Sequence, residues 1–175
     1  MLSFTRKAVL ELNEMAHKKM INASLLSADE FKFKVIRGNK QTFNDDEARL
    51  EGVVFKQAKE TFNIEDINLS CGERLLFKKK DHVIGVDNGD MATITAINEK
   101  RFTALLDNGK EVVIDKAVYQ DFDYGYALTV HKSQGMSIDN AHVIVDSPYW
   151  DRFLSFVAMT RHKKALNLYA SKEVL

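Results

Sequence analysis

Hydrophobic and polar positions change rhythm several times along this chain. Met1-Leu-Ser-Phe4 reads as a short strand. Ala8, Leu12, Met15/Ala16 and Met20 then recur at helical spacing with Lys, Glu and His between them. That spacing predicts an amphipathic helix over residues 6–21, with Thr5 able to cap it. Strong alternation in Phe31-Lys-Phe-Lys-Val-Ile-Arg37 predicts a strand closed by Gly38-Asn39. Asn44-Asp-Asp-Glu47 is a helix-start signal. Ala48, Val54/Phe55, Ala58 and Phe62 continue from it at roughly helical spacing, although Gly52 interrupts them, so a second helix is expected there. Residues 64–72 read as a loop or edge segment.

From residue 73 the texture becomes one of short strands, at 74–78, 91–97, 101–106 and 111–115. Asn88-Gly89 and Asn108-Gly109 are the left-handed pairs that tight hairpins need, and Asn98-Glu99-Lys100 makes a third turn. This pattern predicts an SH3-like small β-barrel over about 73–115, and other small meanders share the same string. Residues 117–123 lead back out of it. A buried strand follows at 126–130, then a loop or short helical turn at 131–136 and another buried strand at 141–145. Pro148-Tyr149-Trp150 sets up a helix over 151–161, and 165–169 reads as the last strand. The expected organisation is therefore an α/β domain built from residues 1–30 and 117–175, interrupted by an inserted module at 31–116. A strand that starts at residue 1 suggests a chain beginning inside a longer protein.

Composition narrows the function classes. The 175 residues include 25 basic and 25 acidic side chains, so no global field draws in nucleic acid and any such contact has to come from a local patch. The single Cys71 excludes an internal disulfide framework. No Cys/His set has zinc-site spacing, and there is no His-x-His pair. No apolar run approaches the roughly 20 residues needed to span a bilayer, and the N-terminus lacks a signal-peptide pattern. A cytoplasmic protein without membrane contact is expected.

The stretch from Gly125 to Arg161 carries the chemistry. Thr129-Val-His-Lys-Ser-Gln-Gly135 follows an apolar strand, and Thr129, His131, Lys132 and Ser133 offer donors to phosphate oxygens. Gln134 can bridge two ligands or two domains through its amide, while Gly135 permits a close backbone approach. A polar turn after a core strand fits these residues equally well. Val157-Ala-Met-Thr-Arg161-His-Lys-Lys164 places a basic cluster at the end of an apolar helix. That cluster either complements the helix C-terminus, worth about 0.3–1 kcal/mol, or sends an arginine to the γ-phosphate of a nucleotide held elsewhere. Spacing alone favours the first reading. Phe77-Lys-Lys-Lys80 and Lys100-Arg-Phe102 interleave basic and aromatic groups, as strand-tracking grooves do, and solvated lysines at barrel edges are an equal alternative.

Ala127-Leu-Thr-Val-His-Lys-Ser-Gln-Gly135 resembles motif V of superfamily 1 helicases, and Val157-Ala-Met-Thr-Arg161 resembles motif VI. The Gln-Gly form followed by Ile138-Asp-Asn-Ala141 is similar to the RecD-like branch, and the closest resemblance is to TraA/MobA-type conjugative relaxase–helicases. Leu2-Ser-Phe-Thr-Arg6 with Leu12-Asn13 resembles the opening of that family's second RecA-like domain. Gly72-Glu-Arg-Leu75 and Asp87-Asn-Gly89 resemble stretches of its SH3-like insertion, and Trp150-Asp-Arg152 its approach to motif VI. The likeness covers nearly the whole chain and is weakest over 31–70, where this sequence is longer and divergent.

The resemblance implies a fold and a division of roles. The fold is an α/β, RecA-like parallel-sheet domain (the second helicase domain) with an inserted SH3-like barrel. Arg161 would be the catalytic arginine finger, with Gln134, Gly135 and Thr160 at the nucleotide. Thr129, His131, Lys132 and Ser133 would meet single-stranded DNA. His162 would be an interdomain or surface residue, and His17, His82 and His142 structural. No Gly-x-x-x-x-Gly-Lys-Ser/Thr occurs; before Gly109-Lys110, Ala104 stands where the first glycine belongs, and Glu111 follows. Asp46-Glu-Ala48 imitates a Walker B segment, but no apolar strand precedes it.

ATP and Mg2+ are thus expected only in an intact parent, held by an N-terminal RecA-like ATPase domain, with the magnesium ligands outside this chain. By the same resemblance the parent would move 5′ to 3′ on single-stranded DNA during plasmid transfer, alongside a relaxase domain and transfer machinery. The chain alone is expected not to hydrolyse ATP. The alternatives are a stand-alone nucleic-acid- or protein-binding module and a degenerate helicase remnant.

Overall fold

The computed structural model describes the backbone of residues 1–43, 48–50, 53–55, 58–145 and 150–170, and the side chains of 1–37, 63–145 and 150–170. β1 (Leu2–Ser3) runs into α1 (Arg6–Asn22), where the Thr5 hydroxyl accepts from the Ala8 N–H at 3.2 Å and caps the first turn as expected. The residues that α1 buries are polar, Asn13 and His17, and its apolar members are only partly covered or exposed.

β2 (Phe31–Phe43) extends well beyond the strand expected at 31–37. It pairs antiparallel with β5 (Ala58–Leu69), from Phe31 opposite Leu69 out to Phe43 opposite Ala58. Between them β3 (Ala48–Leu50) pairs with β4 (Val53–Phe55). The helix expected after residue 44 is therefore absent from 48–50, 53–55 and 58–69, and of the loop or edge segment expected at 64–72, residues 64–69 are strand. Asn44–Glu47 and Gly52, which carried part of that expectation, lie outside the described residues. The physical reason is visible in β5, where Ile67 and Leu69 are buried and Asp66 is exposed. Burial has period two there, and pairing with an alternating partner outweighs a spacing that was only approximately helical.

β6 (Arg74–Phe77), β7 (Met91–Ile97), β8 (Arg101–Leu106), β9 (Glu111–Asp115) and β10 (Phe122–Tyr124) form an antiparallel sheet in the order β10-β6-β7-β8-β9. Asn98 closes the β7–β8 turn by accepting from the Lys100 and Arg101 N–H groups. Asn108-Gly109 closes β8–β9, with Gly109 at φ +87°. Asn88-Gly89 does not make the tight hairpin expected of it. It ends a longer connection, and Gly89 N–H reaches back to Phe77 O at 2.9 Å. Nor do residues 117–123 simply lead away, since Phe122 and Asp123 lie in β10, against β6.

β11 (Leu128–Thr129), β12 (Ile138–Val145), α2 (Arg152–Met159) and β13 (His162–Ala170) complete the chain. The strands β11-β1-β12-β13 lie side by side in that order, all parallel, so the architecture is mixed α/β with a parallel sheet. β13 is the last strand of that sheet among the described residues, and nearly all of its side chains are exposed.

Two apolar clusters hold these parts. One joins the base of the β2–β5 hairpin (Phe33, Val35, Ile67, Leu69) to the antiparallel sheet, with Phe102 edge-on to both Phe33 and Phe122. The other gathers Leu2, Leu128, Val130, Val143 and Ala158 of the parallel sheet and α2 together with Leu76 and Met91 of the antiparallel one. Buried charge adds direction. Arg37 donates Nε and Nη2 to the two Asp123 oxygens at 3.0 and 2.8 Å, and Nη1 to Glu14 and Glu65. His17 donates Nδ1–H to Glu73 at 2.7 Å and Nε2–H to Glu30 at 3.0 Å. Tyr126 OH donates to the other Glu73 oxygen, and Tyr124 stacks on the His17 ring.

The hydrogen bond from Glu73, with the charges of both carboxyls, raises the pKa of His17 above its ordinary value against the opposing effect of burial. A histidine raised on folding contributes its full stabilisation below the unfolded pKa of about 6.5, and loses it as pH rises through the folded value. His17→Gln should therefore cost most stability below about pH 6.5, and the wild-type and variant urea midpoints should converge as pH rises. Midpoint curves running parallel from acid to alkaline pH would show that His17 is neutral in the fold.

Candidate functional site

Ser3 of β1 lies opposite Thr129 of β11, and Val130 N–H donates to Ser3 O at 3.0 Å, so the two strands end together at the carboxyl edge of the parallel sheet. Asn13 of α1 secures that edge from behind. Its side-chain amide donates to Ala127 O and accepts from Ala127 N–H, at 3.2 and 2.7 Å, and copies the two bonds of a neighbouring strand. Just beyond the strand ends, the rings of Phe4 and His131 stand 6.2 Å apart at a 44° tilt.

The turn that follows is held by its own side chains. Thr129 Oγ1 accepts from Lys132 N–H at 3.2 Å, Ser133 N–H donates to Thr129 O, and Ser133 Oγ donates to Val130 O at 2.7 Å. Ser133 is buried. Its hydroxyl is used within the turn, so the structure does not offer it as the open phosphate contact that the sequence suggested. His131, Lys132 and Gln134 are exposed. Lys132 Nζ reaches out of the parallel sheet to Asn88 Oδ1 at 2.7 Å, in the connection between β6 and β7. A cavity of about 240 Å³ lies beside this link, between the two turns at Gly89–Met91 and Leu106–Asn108 and the Met136 side chain. Gly135 sits at φ +82° with open space where a side chain would be. Its backbone conformation, rather than a close neighbour, calls for glycine.

Arg161 lies elsewhere. It follows α2 and precedes β13, and its carbonyl accepts from Ile138 N–H at 2.9 Å, at the amino edge of β12. Ile144 of β12 is level with Ser3 and hence with Thr129, so Ile138 sits six residues back along the strand. At 3.3 Å per residue the two groups are roughly 20 Å apart. One stretch of sequence carries these residues, and the structure divides them into two separate groups. Thr129, His131 and Lys132 occupy the carboxyl edge. Thr160 and Arg161 occupy the amino edge, and the turn carrying Gln134 and Gly135 runs between.

The Arg161 guanidinium is held by three acceptors, Val157 O at 2.9 Å, Met136 O at 3.3 Å and Thr160 Oγ1 at 3.1 Å. Thr160 Oγ1 in turn donates to Phe156 O at 2.7 Å. A guanidinium carries five N–H groups, so with three engaged, two have no acceptor among the described residues. The Met136 contact had no signal in the sequence, and neither did the Lys132–Asn88 link, whose partners are 44 positions apart. The other expectations divide. Phe77 and Phe102 are core residues of the antiparallel sheet, so neither basic-aromatic stretch presents its ring to a ligand. His162 is exposed and donates to Met159 O, and His142 pairs with Tyr169 across β12 and β13. Among the described residues no three His, Cys, Asp or Glu side chains are grouped to hold a metal ion, and no helix is long and apolar enough to cross a membrane.

Residues 61–170 match the family described as the viral superfamily 1 RNA helicase core domain. Over 171 residues the chain is 29% identical to a probable conjugal transfer protein TraA of Sinorhizobium fredii and 30% identical to a conjugal transfer protein TraA of Agrobacterium fabrum. These alignments take in 96% of this chain and 13% of each relative. The ATP-dependent DNA helicase Pif1 of Bdellovibrio bacteriovorus is 28% identical over 120 residues, covering 60% of this chain and 27% of that protein. Among solved structures, Bacteroides Pif1 bound to ssDNA superposes with a TM-score of 0.63 at 16% identity, over 99% of this chain and 41% of that one. Candida albicans Pif1 gives 0.59 at 16% identity, over 99% and 47%. At that identity the likeness speaks for the fold. The chain therefore spans a small part of the curated relatives it matches.

The Asn13 clamp makes a direct expectation. Asn13→Leu keeps a similar volume but leaves the buried Ala127 N–H and C=O without partners, at about 1–3 kcal/mol for each orphaned group. Urea unfolding should register that loss, and an unchanged midpoint would show that the amide pairing does not hold the β11 edge.

Proposed function

Because this chain belongs to the superfamily 1 helicase core family, we propose that it supplies the second RecA-like half of an ATP-driven DNA helicase acting in conjugative transfer. One observation carries the reading. A single parallel sheet presents Thr129, His131 and Lys132 at one edge and Thr160 and Arg161 at the other, joined by the turn that holds Gln134 and Gly135. Two edges roughly 20 Å apart suit two ligands, a DNA strand and a nucleotide, that are to be coupled rather than bound together. The full-length conjugal transfer relatives support the biological setting.

The geometry supports a division of roles. Exposed His131 and Lys132 meet the backbone of single-stranded DNA, and Lys132 exchanges Asn88 for a phosphate oxygen. Thr129 shapes the turn from which they project. Arg161, held on three sides, offers its two remaining N–H groups in the fork geometry that suits a phosphoryl group, where it stabilises developing negative charge. Thr160 fixes the guanidinium plane. ATP and its magnesium are held by an N-terminal RecA-like domain of the parent, which also supplies the phosphate loop that this sequence lacks. The antiparallel sheet, with the hairpin at its side, is the inserted module, SH3-like in strand number and length. A relaxase domain belongs to the same parent.

In the intact parent, Arg161→Ala should lower DNA-stimulated ATP hydrolysis about 10³-fold or more while leaving ATP binding in place. The 175-residue chain by itself should show no ATPase. Unchanged turnover in the variant parent would remove Arg161 from the finger role, and hydrolysis by the chain alone would show that it contains a complete site.

A further inference from the structure

The cavity beside the Lys132–Asn88 link has no role in the reading above. At about 240 Å³ it is smaller than the roughly 300–1,000 Å³ that houses a drug-sized ligand, which leaves room for one small planar group. Its apolar lining is Met91 and Leu106, both buried, with half-buried Met136 on the parallel-sheet side. Exposed Asp107 and Asn108 supply polar lining, and Gly89 leaves open space where a side chain would stand.

Cations gather over the connection between β6 and β7 that forms one side of this cavity. Lys132 Nζ donates to Asn88 Oδ1 at 2.7 Å, and Lys110 Nζ reaches from the β8–β9 turn to Gly85 O at 2.8 Å. Gly85 and Asn88 are three residues apart, so their Cα atoms lie within about 11 Å. Both acceptors are neutral and both lysines are exposed, so neither positive charge is cancelled by its partner. Two of the nearby carboxylates are already matched, Asp107 by Arg74 and Asp87 by Lys80. Lys80 foremost, with His82 and Lys110 adding their charge, holds the Asp87 carboxyl below its ordinary pKa.

We propose that this cavity receives one base of a single DNA strand while Lys132 and Lys110 hold neighbouring phosphates. The proposal rests on the reading that Lys132 meets a DNA backbone, and carries the contact from the parallel sheet into the antiparallel one. Uncancelled ammonium groups beside a small apolar slot match the two parts of a nucleotide. Asp90 and Asp107 turn a phosphate away from the slot itself, whereas a base brings N–H donors that a carboxylate accepts. The flexible thioether of Met136 packs favourably against any aromatic ring, so the slot grips a base without selecting strongly among them. A base still paired in a duplex would first have to leave its stack, so the slot favours unpaired DNA.

The test titrates the 175-residue chain with an oligodeoxythymidylate and with an abasic strand of equal length, by fluorescence anisotropy at several salt concentrations. Lys110→Gln should reduce the salt slope of both strands by about 0.7, the single-strand value for one phosphate, and Lys132→Gln should do the same. A slope moved by Lys132→Gln alone would overturn this proposal and leave the underlying reading standing. A slope unmoved by Lys132→Gln would overturn both. The wild-type chain should bind the thymidylate about tenfold more tightly than the abasic strand. Met136→Ala should weaken thymidylate binding roughly three- to tenfold and leave the abasic strand unaffected. Equal binding of the two strands by the wild type, or equal losses on both in the variant, would overturn the base slot. Photocross-linking of a 4-thiothymidine-substituted strand to the wild-type chain gives a readout that needs no variant. Adducts within residues 88–91 or 106–108, or on Met136, are expected, and adducts confined to other peptides would overturn the slot.

Discussion

A buried acidic side chain has to be met by hydrogen-bond donors, and the position of nearly everything else in this molecule follows from how Glu73 meets that requirement. Glu73 has no exposed surface. One of its oxygens takes a proton donor from His17 on α1, and the other takes the hydroxyl of Tyr126, just before β11. Removing one partner of such a set costs several kcal/mol, because the remaining group stays buried and unmatched. The helix, the start of the antiparallel sheet and the strand returning from it are therefore locked in one arrangement. Arg37 and Asp123 repeat the device on the hairpin side. Apolar packing between Leu76, Met91 and the parallel sheet would tolerate some sliding, and these directional pairs do not.

That rigidity matters because the candidate site is spread across the joint. Lys132 stands in the parallel-sheet half and touches Asn88 in the antiparallel half, while Arg161 is anchored by the carbonyl of Met136 at the far end of the same turn. The segment from Val130 to Ile138 is thus tied at one end to the connection between β6 and β7 and at the other to the residue that follows α2. Any displacement of Lys132 would therefore pull on a turn whose other end holds Arg161. The internal bonds of Thr129 and Ser133 make that turn a stiff connector rather than a slack one.

Much of this was legible in the residues. The period-3.6 spacing after Thr5 and the alternation in 91–97, 101–106 and 111–115 became α1, β7, β8 and β9 with nearly the expected bounds, because local pattern and tertiary environment agree there. The reading failed where partners are distant. Residues 58–69 are strand because β2 pairs with them, and no local signal reveals a partner of that kind. β10 is too short to declare itself, and only its register with β6 defines it. The residues of the Thr129–Gly135 and Thr160–Arg161 stretches were recognisable, but their separation to opposite edges was not. That depends on β12 extending five residues on the amino side of its first contact with β1, at Val143, a fact of register that spacing does not record. Ser133 takes the polar-turn alternative that the residues left open, since a hydroxyl suited to phosphate is equally suited to capping its own turn.

β13 has a consequence for the behaviour of the molecule in solution. It is a nine-residue strand at the margin of the parallel sheet, with Leu168 and Tyr169 half exposed and, among the described residues, no neighbour on its outer side. A row of unpaired amides and carbonyls of that length is a template for strand addition, and a long edge with apolar side chains has little to discourage a second copy. Of the two lysines at its start, Lys164 is paired with Asp139 of β12 at 2.6 Å, so only Lys163 is left to discourage such pairing there. Protein concentration thus becomes a variable on which the dispersal of this chain depends.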